Sequence, residues 1–230
     1  MLNYLLMGDV MNVLVTGSSR GLGREIAKVF ANNGIDVIIN YNKSKKRALE
    51  LYDELKEKVN VKIIKCDISN EEEVKKMFEE IEHLDYLINN AAIADDKDPL
   101  EKSAEEFNKI IHTNLTGTFL VTKYALEKMN KGSIINISST NAIDTYYPES
   151  IDYDASKAGI ISLTHNFAKY LCDIRVNSIC PDWIDTEMNK EMVEDYRKKI
   201  NFIKAEDLAQ LVYEVAINEE INDQIIRVNN

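Results

Sequence analysis

Tyr153 and Lys157 stand four residues apart in a stretch that reads as helix, so a phenol and an ammonium group share one helical face. Spacing alone decides nothing, because Tyr41/Lys45, Tyr52/Lys56 and Tyr124/Lys128 repeat it. Those three pairs read as solvated helix or loop surface. The fourth differs in its setting: it follows a strand ending in Ser138-Ser139 and lies among small residues, Asp154-Ala155-Ser156 and Ala158-Gly159. A second chemistry-bearing stretch lies near the start. The apolar run Val13-Leu14-Val15 breaks at Thr16-Gly17 and passes through Ser18-Ser19-Arg20-Gly21-Leu22-Gly23 into the helical pattern Ile26, Ala27, Val29, Phe30. A strand, a glycine turn and a helix start make an anion site, since glycines admit a pyrophosphate and free helix N–H groups favour negative charge. A ligand-free tight turn would need the same glycines. The spacing here is Gly-x-x-x-Gly-x-Gly, not the Gly-x-Gly-x-x-Gly of most dinucleotide folds.

The elements that must position these groups alternate along the chain. Strands are expected at 13–15, 36–40, 61–65, 84–88, 133–137, 174–179 and 224–228. Helices are expected at 44–58, from a Ser69 or Asn70 cap to about 81, over a long region 103–129, at 153–171 and at 206–217. Glu71, Glu72 and Glu73 favour the start of the helix they open. Such alternation with apolar strands implies an α/β fold, a doubly wound parallel sheet of about seven strands between helical layers, of the Rossmann type. At 230 residues, without linker, repeat or low-complexity tract, one domain spanning 1–230 is expected.

Composition narrows the function. Hydrophobic residues at 45% and charged residues at 29% describe an ordinary soluble globular chain. A net charge of -11 argues against nucleic acid, whose phosphates would be repelled over most approaches. Cys66, Cys172 and Cys180 are too few for a disulfide framework, and Cys66 and Cys180 read as buried thiols. His83, His112 and His165 have no metal-ligand spacing, so no metal is expected. Residues 1–8 are too short to span a membrane and lack a basic flank. Residues 1–11 read as an extension, with Met7 or Met11 an alternative start, and a cytoplasmic location with no membrane partner is expected.

Five ordered motifs resemble the short-chain dehydrogenase/reductase family: Thr16 to Gly23, Asn89-Asn90-Ala91-Ala92, Thr113-Asn114, Ile137-Ser138-Ser139 and Tyr153-x-x-x-Lys157. The resemblance runs from about Asn12 to Val228 and is strongest to the branch of 3-oxoacyl thioester reductases, on the glycine turn, Asn40-Tyr41-Asn42 and the final strand. It implies an oxidoreductase moving hydride between a nicotinamide and a carbonyl or secondary alcohol. Tyr153 would be the acid/base, Lys157 the modulator of its pKa and a ribose ligand, and Ser139 the hydroxyl that polarises the carbonyl. Asn114 would hold a water in a relay behind Lys157. Free tyrosine, with a pKa of roughly 10, is too weak an acid near neutrality, and a nearby cation favours the phenolate. Counting along the strand from Gly132 favours Ser139 over Ser138, which would then serve packing, although Ser139 lies one residue farther from Tyr153 than the family spacing.

The cofactor follows from the end of the second strand. NAD-preferring enzymes usually place a carboxylate there for the ribose 2′-OH. Here the sequence is Asn40-Tyr41-Asn42-Lys43-Ser44, and Arg20 could pair with a 2′-phosphate. NADP(H) is favoured, with NAD(H) the alternative. By resemblance the cofactor would meet Gly17, Ser18, Ser19, Arg20, Gly21, Leu22 and Gly23, then Asn40 and Asn42, then Asp67 and Ile68 at the adenine. Asn90, Ala91 and Ala92 would pass beneath the ribose, and Pro181, Ile184 and Thr186 would line the nicotinamide side.

Departures from the family pattern bear on substrate. Ala92 and Asp182 stand where glycines are usual, the segment Glu187 to Lys199 that lids the pocket in relatives is short and charged, and two glycines after the last strand are missing. Asp182 would disfavour anionic substrate groups. A 3-oxoacyl thioester, a sugar or polyol, or another ketone remain open as substrates. A non-catalytic protein that senses NADP or acts as a scaffold is the alternative function. Relatives form homodimers or homotetramers through helices that here carry Phe119, Leu120, Tyr124, Ile161, Leu163 and Phe167, residues that could equally be core.

Overall fold

Asn12–Val15 (β1) shows why the sheet is covered on both faces: Val13, Leu14 and Val15 are all fully buried, and their side chains alternate between two separate cores. The computed structural model describes residues 11–189 and 198–229. The N-terminal extension, the alternative start at Met7 and residues 190–197 of the charged segment lie outside these.

β1 is joined by β2 (Asp36–Tyr41), β3 (Val61–Lys65), β4 (Tyr86–Asn89), β5 (Gly132–Ile137), β6 (Ile174–Pro181) and β7 (Ile225–Val228). All pairings are parallel, in the order β3-β2-β1-β4-β5-β6-β7. On one face pack α1 (Gly21–Asn32), α2 (Lys45–Leu55) and α7 (Ala205–Ile217), through Ile26, Phe30, Leu51, Leu208 and Val212. On the other pack α3 (Glu71–Glu79), α5 (Gly117–Ala125) and α6 (Ile151–Tyr170), through Val74, Phe78, Val121 and Ala168. Phe30 is fully buried against the rings of Tyr86 and Tyr213, and a side chain of that size contributes roughly 2–3 kcal/mol on burial.

β1 neighbours both β2 and β4, so the winding of the chain reverses there. The loops after β1 and β4 consequently part at the C-terminal ends of the strands and open a crevice.

Several expectations change. The long helical region is broken: α4 (Ala104–Ile111) runs into a π-helical turn, His112–Thr116, before α5. The wide turn accommodates Asn114, whose side chain hydrogen-bonds back to both backbone groups of Ile93. Tyr41 and Tyr124 are buried, not solvated, because Tyr41 packs into the core on one face of the sheet and Tyr124 into the core on the other. Asn70, not Ser69, caps α3, accepting from the N–H groups of Glu72 and Glu73. Cys66 and Cys180 are buried free thiols, and Cys172 is exposed.

Candidate active site

The turn between β1 and α1 is shaped by two close approaches. Gly17 has φ +66°, and a Cβ on it would lie 3.0 Å from Ala91. A Cβ on Gly23 would lie 2.5 Å from Asn90 Nδ2 and 2.8 Å from the Gly17 carbonyl. Thr16 ties this turn to the end of β4, its Oγ1 accepting from the N–H groups of Asn90 and Ala91 at 3.0 Å each. Asn90 Nδ2 donates back to the Thr16 carbonyl at 2.9 Å. No side chain caps α1, so its first-turn N–H groups open on the crevice.

Asn40, at the end of β2, is turned under the turn and not outward. Its Oδ1 accepts from Gly17 N–H at 3.0 Å, and its Nδ2 donates to the Cys66 carbonyl at 3.2 Å. Ser18 is fully buried, its N–H donating to the Asn40 carbonyl at 3.0 Å and its Oγ accepting from Asn40 N–H at 3.1 Å. These two expected cofactor ligands brace the turn from below, since a buried polar pair at a strand end must satisfy itself locally. Asn42 Nδ2 donates to Asp67 Oδ2 at 2.8 Å, and Ser69 donates to Asp67 Oδ1 from both N–H and Oγ. Burial pushes the Asp67 carboxyl up, but these hydrogen bonds and Lys43 outweigh it and hold it below the usual carboxylate range.

The crevice is a cleft of about 790 Å³. At one end its wall carries Gly17, Ser19, Arg20, Gly21, Leu22 and Gly23, with Asn40, Asn42, Asp67 and Ile68 beside them. Asn90, Ala91 and Ala92 line its middle. Ser139, Tyr153, Lys157, Pro181 and Ile184 line the wall farther along, while Thr186 lies against the glycine turn, 3.6 Å from where a Cβ on Gly21 would stand. A narrow floor of small residues, an uncapped helix start and no acid at the end of β2 fit a phosphate-bearing dinucleotide.

The end of β5 and the start of α6 carry the candidate serine, tyrosine and lysine. Ser139 and Tyr153 line the same cleft wall, and the Ser139 hydroxyl accepts from Asn141 N–H at 3.2 Å. Ser138 points the other way, donating to the Lys157 carbonyl at 2.8 Å. Lys157 Nζ donates to the Ile137 carbonyl at 2.7 Å and lies 5.4 Å from the centre of the Tyr153 ring.

The electrostatics differ from the sequence expectation of an acidified phenol. Burial pushes the Tyr153 phenol above the usual tyrosine range, Asp154 and Asp96 push the same way, and only the Ser139 hydroxyl opposes them. Burial also pulls Lys157 down to about 8. The ammonium thus loses much of the advantage it would have over a phenol, because desolvation penalises both charged forms.

Asn114 lies off the cleft wall and fully buried. Its Nδ2 donates to the Ile93 carbonyl at 2.9 Å and to Ser156 Oγ at 3.1 Å, and its Oδ1 accepts from Ile93 N–H at 2.8 Å. Its side chain thus ties the loop after β4 to Ser156 of α6. Arg20 is exposed, with its guanidinium 3.9 Å from Glu187, a carboxylate also paired with Arg47.

Sequence reasoning missed the groups that frame the substrate end. Asp154 accepts from Asn141 Nδ2 at 2.6 Å and from Tyr147 N–H at 3.0 Å, holding the segment after β5 over the cleft. Asp95, Asp96 and Trp183 join Asp182 on the wall there. Asp182 accepts from Trp183 N–H at 2.9 Å. Only the adjacency of Asp154 to Tyr153 was visible in the sequence; the other groups converge from loops far apart along the chain.

A parallel doubly wound sheet with a glycine turn at its switch point and a serine, tyrosine and lysine across the cleft defines a dinucleotide-type oxidoreductase. The short chain dehydrogenase family model matches residues 11–197. The 3-oxoacyl-(acyl-carrier-protein) reductase FabG of Aquifex aeolicus is 37% identical over 236 residues, covering 94% of each chain. An uncharacterized oxidoreductase of Thermotoga maritima is 38% identical, covering 85% of this chain and 78% of its own. A Burkholderia cenocepacia short chain dehydrogenase, solved in complex with NADP, superposes with a TM-score of 0.90 at 28% identity, covering 95% of this chain and 96% of that one. The chain belongs to the short-chain dehydrogenase/reductase family.

Proposed function

We propose that the chain is an NADP(H)-dependent reductase of carbonyl compounds, running also as a secondary-alcohol dehydrogenase. The observation that carries this reading is the convergence of Ser139, Tyr153 and Lys157 on the wall of the cleft, with the Lys157 ammonium 5.4 Å from the centre of the phenol ring. A carbonyl oxygen seated against both hydroxyls accepts two hydrogen bonds and is polarised toward attack at carbon. Tyr153 then gives its proton to that oxygen, and the Lys157 ammonium stabilises the phenolate left behind. A bound nicotinamide cofactor supplies the hydride and, once oxidised, a positive charge.

NADP(H) is supported by the end of β2, where the cleft wall offers Asn42, Lys43 and Ser44 and Asp67 is already engaged by Asn42 and Ser69. The Burkholderia relative binds NADP, which supports the same reading. Asp95, Asp96 and Asp182 at the opposite end favour a substrate without an anionic group next to its carbonyl. The Phe119–Phe167 ring pair, 6.4 Å between centres with Phe119 exposed on α5, supports self-association into a homodimer or homotetramer. Absorbance of NADPH and NADH across ketones, 3-oxoacyl thioesters and sugars tests the activity. Tyr153→Phe should keep cofactor binding and lose turnover by a factor on the order of 1,000. Equal turnover in that variant rules the assignment out.

A further inference from the structure

The loop after β4 and the first turn of α6 meet at an ion pair that the steps above do not use. Lys102, the residue before the Ser103 cap of α4, places Nζ 2.7 Å from each carboxylate oxygen of Asp152. Its third contact is the Asp95 carbonyl at 2.6 Å. The two side chains are only 2% and 0% exposed. Asp152 Oδ1 also accepts the backbone N–H of Tyr153 at 2.9 Å. A continuous set of bonds therefore runs from a residue on the cleft wall, through two buried charges, to the amide of the reacting tyrosine.

Burying two charges costs several kcal/mol for each ion, and an apolar pair of equal volume often serves stability as well or better. The local fold already has other supports. Ser103 and Glu106 form a complete capping box on α4, and Lys97 pairs with Glu106 at 2.8 Å on the outer side of the loop. What Lys102 and Asp152 add is a directed link between Asp95 and Tyr153, two residues of the cleft wall, one from the loop after β4 and the other from α6.

We propose that Lys102 and Asp152 form a positioning pair that locks the loop 93–102 to the start of α6 and so holds the Tyr153 phenol in place on the cleft wall beside Ser139 and Lys157. The proposal rests on the assignment of Tyr153 as proton donor. Neither residue touches the reacting atoms; they act through the backbone of Tyr153.

The test compares the full-length wild type with Lys102→Met/Asp152→Asn, a neutral pair of similar volume, and with the conservative Lys102→Arg. Hydrogen exchange should accelerate in peptides covering 93–103 and 150–156 of the double variant. In that variant kcat for a model ketone should fall about 10- to 100-fold while the NADPH dissociation constant stays within about twofold, and Lys102→Arg should recover most of the loss. Wild-type kcat in the double variant overturns the proposal, with or without faster exchange. A fall in kcat matched by an equal loss of NADPH binding also overturns it, as general disruption. Should the double variant not fold, Lys102→Gln/Asp152→Asn, which leaves no unpaired buried charge and retains the acceptor for the Tyr153 amide, carries the same readings. Tyr153→Phe separates the two levels: full turnover there refutes the proton-donor assignment, whereas an inactive Tyr153→Phe beside a fully active double variant refutes the tether alone.

Discussion

The Lys157 ammonium donates to the Ile137 carbonyl at 2.7 Å while standing 5.4 Å from the centre of the Tyr153 ring, in a place where the lysine is 2% exposed. Burial is what the fold exacts for that position, and it pulls the lysine from 10.5 down to about 8. Because the folded-state value lies below the free value, the unfolded chain holds the proton more tightly between these limits. Stability should therefore rise with pH through that window. Lys157→Met should be more stable than wild type by about 1–3 kcal/mol in urea unfolding at pH 7, and its advantage should shrink toward pH 10. An advantage that is absent, or independent of pH, contradicts this account.

The same titration should limit the proposed carbonyl reduction. Below about 8 the lysine is charged and able to stabilise a phenolate; above it the charge is lost. The rate of ketone reduction at saturating NADPH should decline as pH rises through that value. A profile flat to pH 10 would show that the ammonium plays no part in the step.

Ser138 and Ser139 are neighbours with opposite employments. Ser139→Ala should lower kcat by about 100-fold, as expected when one donor to a developing oxyanion is removed, and should cost about 1 kcal/mol of stability because the Asn141 N–H loses its acceptor. Ser138→Ala breaks the bond to the Lys157 carbonyl, so it should cost about 1 kcal/mol of stability and change kcat less. Thermal melts and initial rates on both variants decide the pair, and a reversed pattern would exchange their roles.

Arg20 is exposed at the mouth of the glycine turn, within 3.9 Å of Glu187. If its guanidinium meets a 2′-phosphate, Arg20→Ala should weaken NADPH binding about tenfold and leave NADH binding unchanged. Fluorescence titration with both dinucleotides reads this directly. Equal effects on the two would assign the contact to the shared pyrophosphate.

The sequence by itself determined the layered α/β architecture, because continuous apolar strands such as Val13-Leu14-Val15 alternate with amphipathic helices and admit few other packings. It also determined the glycine turn, the serine pair and the Tyr153-x-x-x-Lys157 spacing, all of which are local. Tertiary structure decided which way each group faces. Asn40 and Ser18 lie in or beside a turn that reads as cofactor-binding, yet the Asn40 side chain accepts from the Gly17 N–H and the Ser18 hydroxyl accepts from the Asn40 N–H, which braces the turn. Asn114 bends a helix into a π-turn to reach Ile93, 21 residues away in sequence. Lys102 and Asp152 are separated by 50 residues, and no periodicity links them. Local pattern reports which backbone state a segment prefers, whereas desolvation, which raises the Tyr153 phenol and lowers Lys157, depends on what the rest of the chain packs around them.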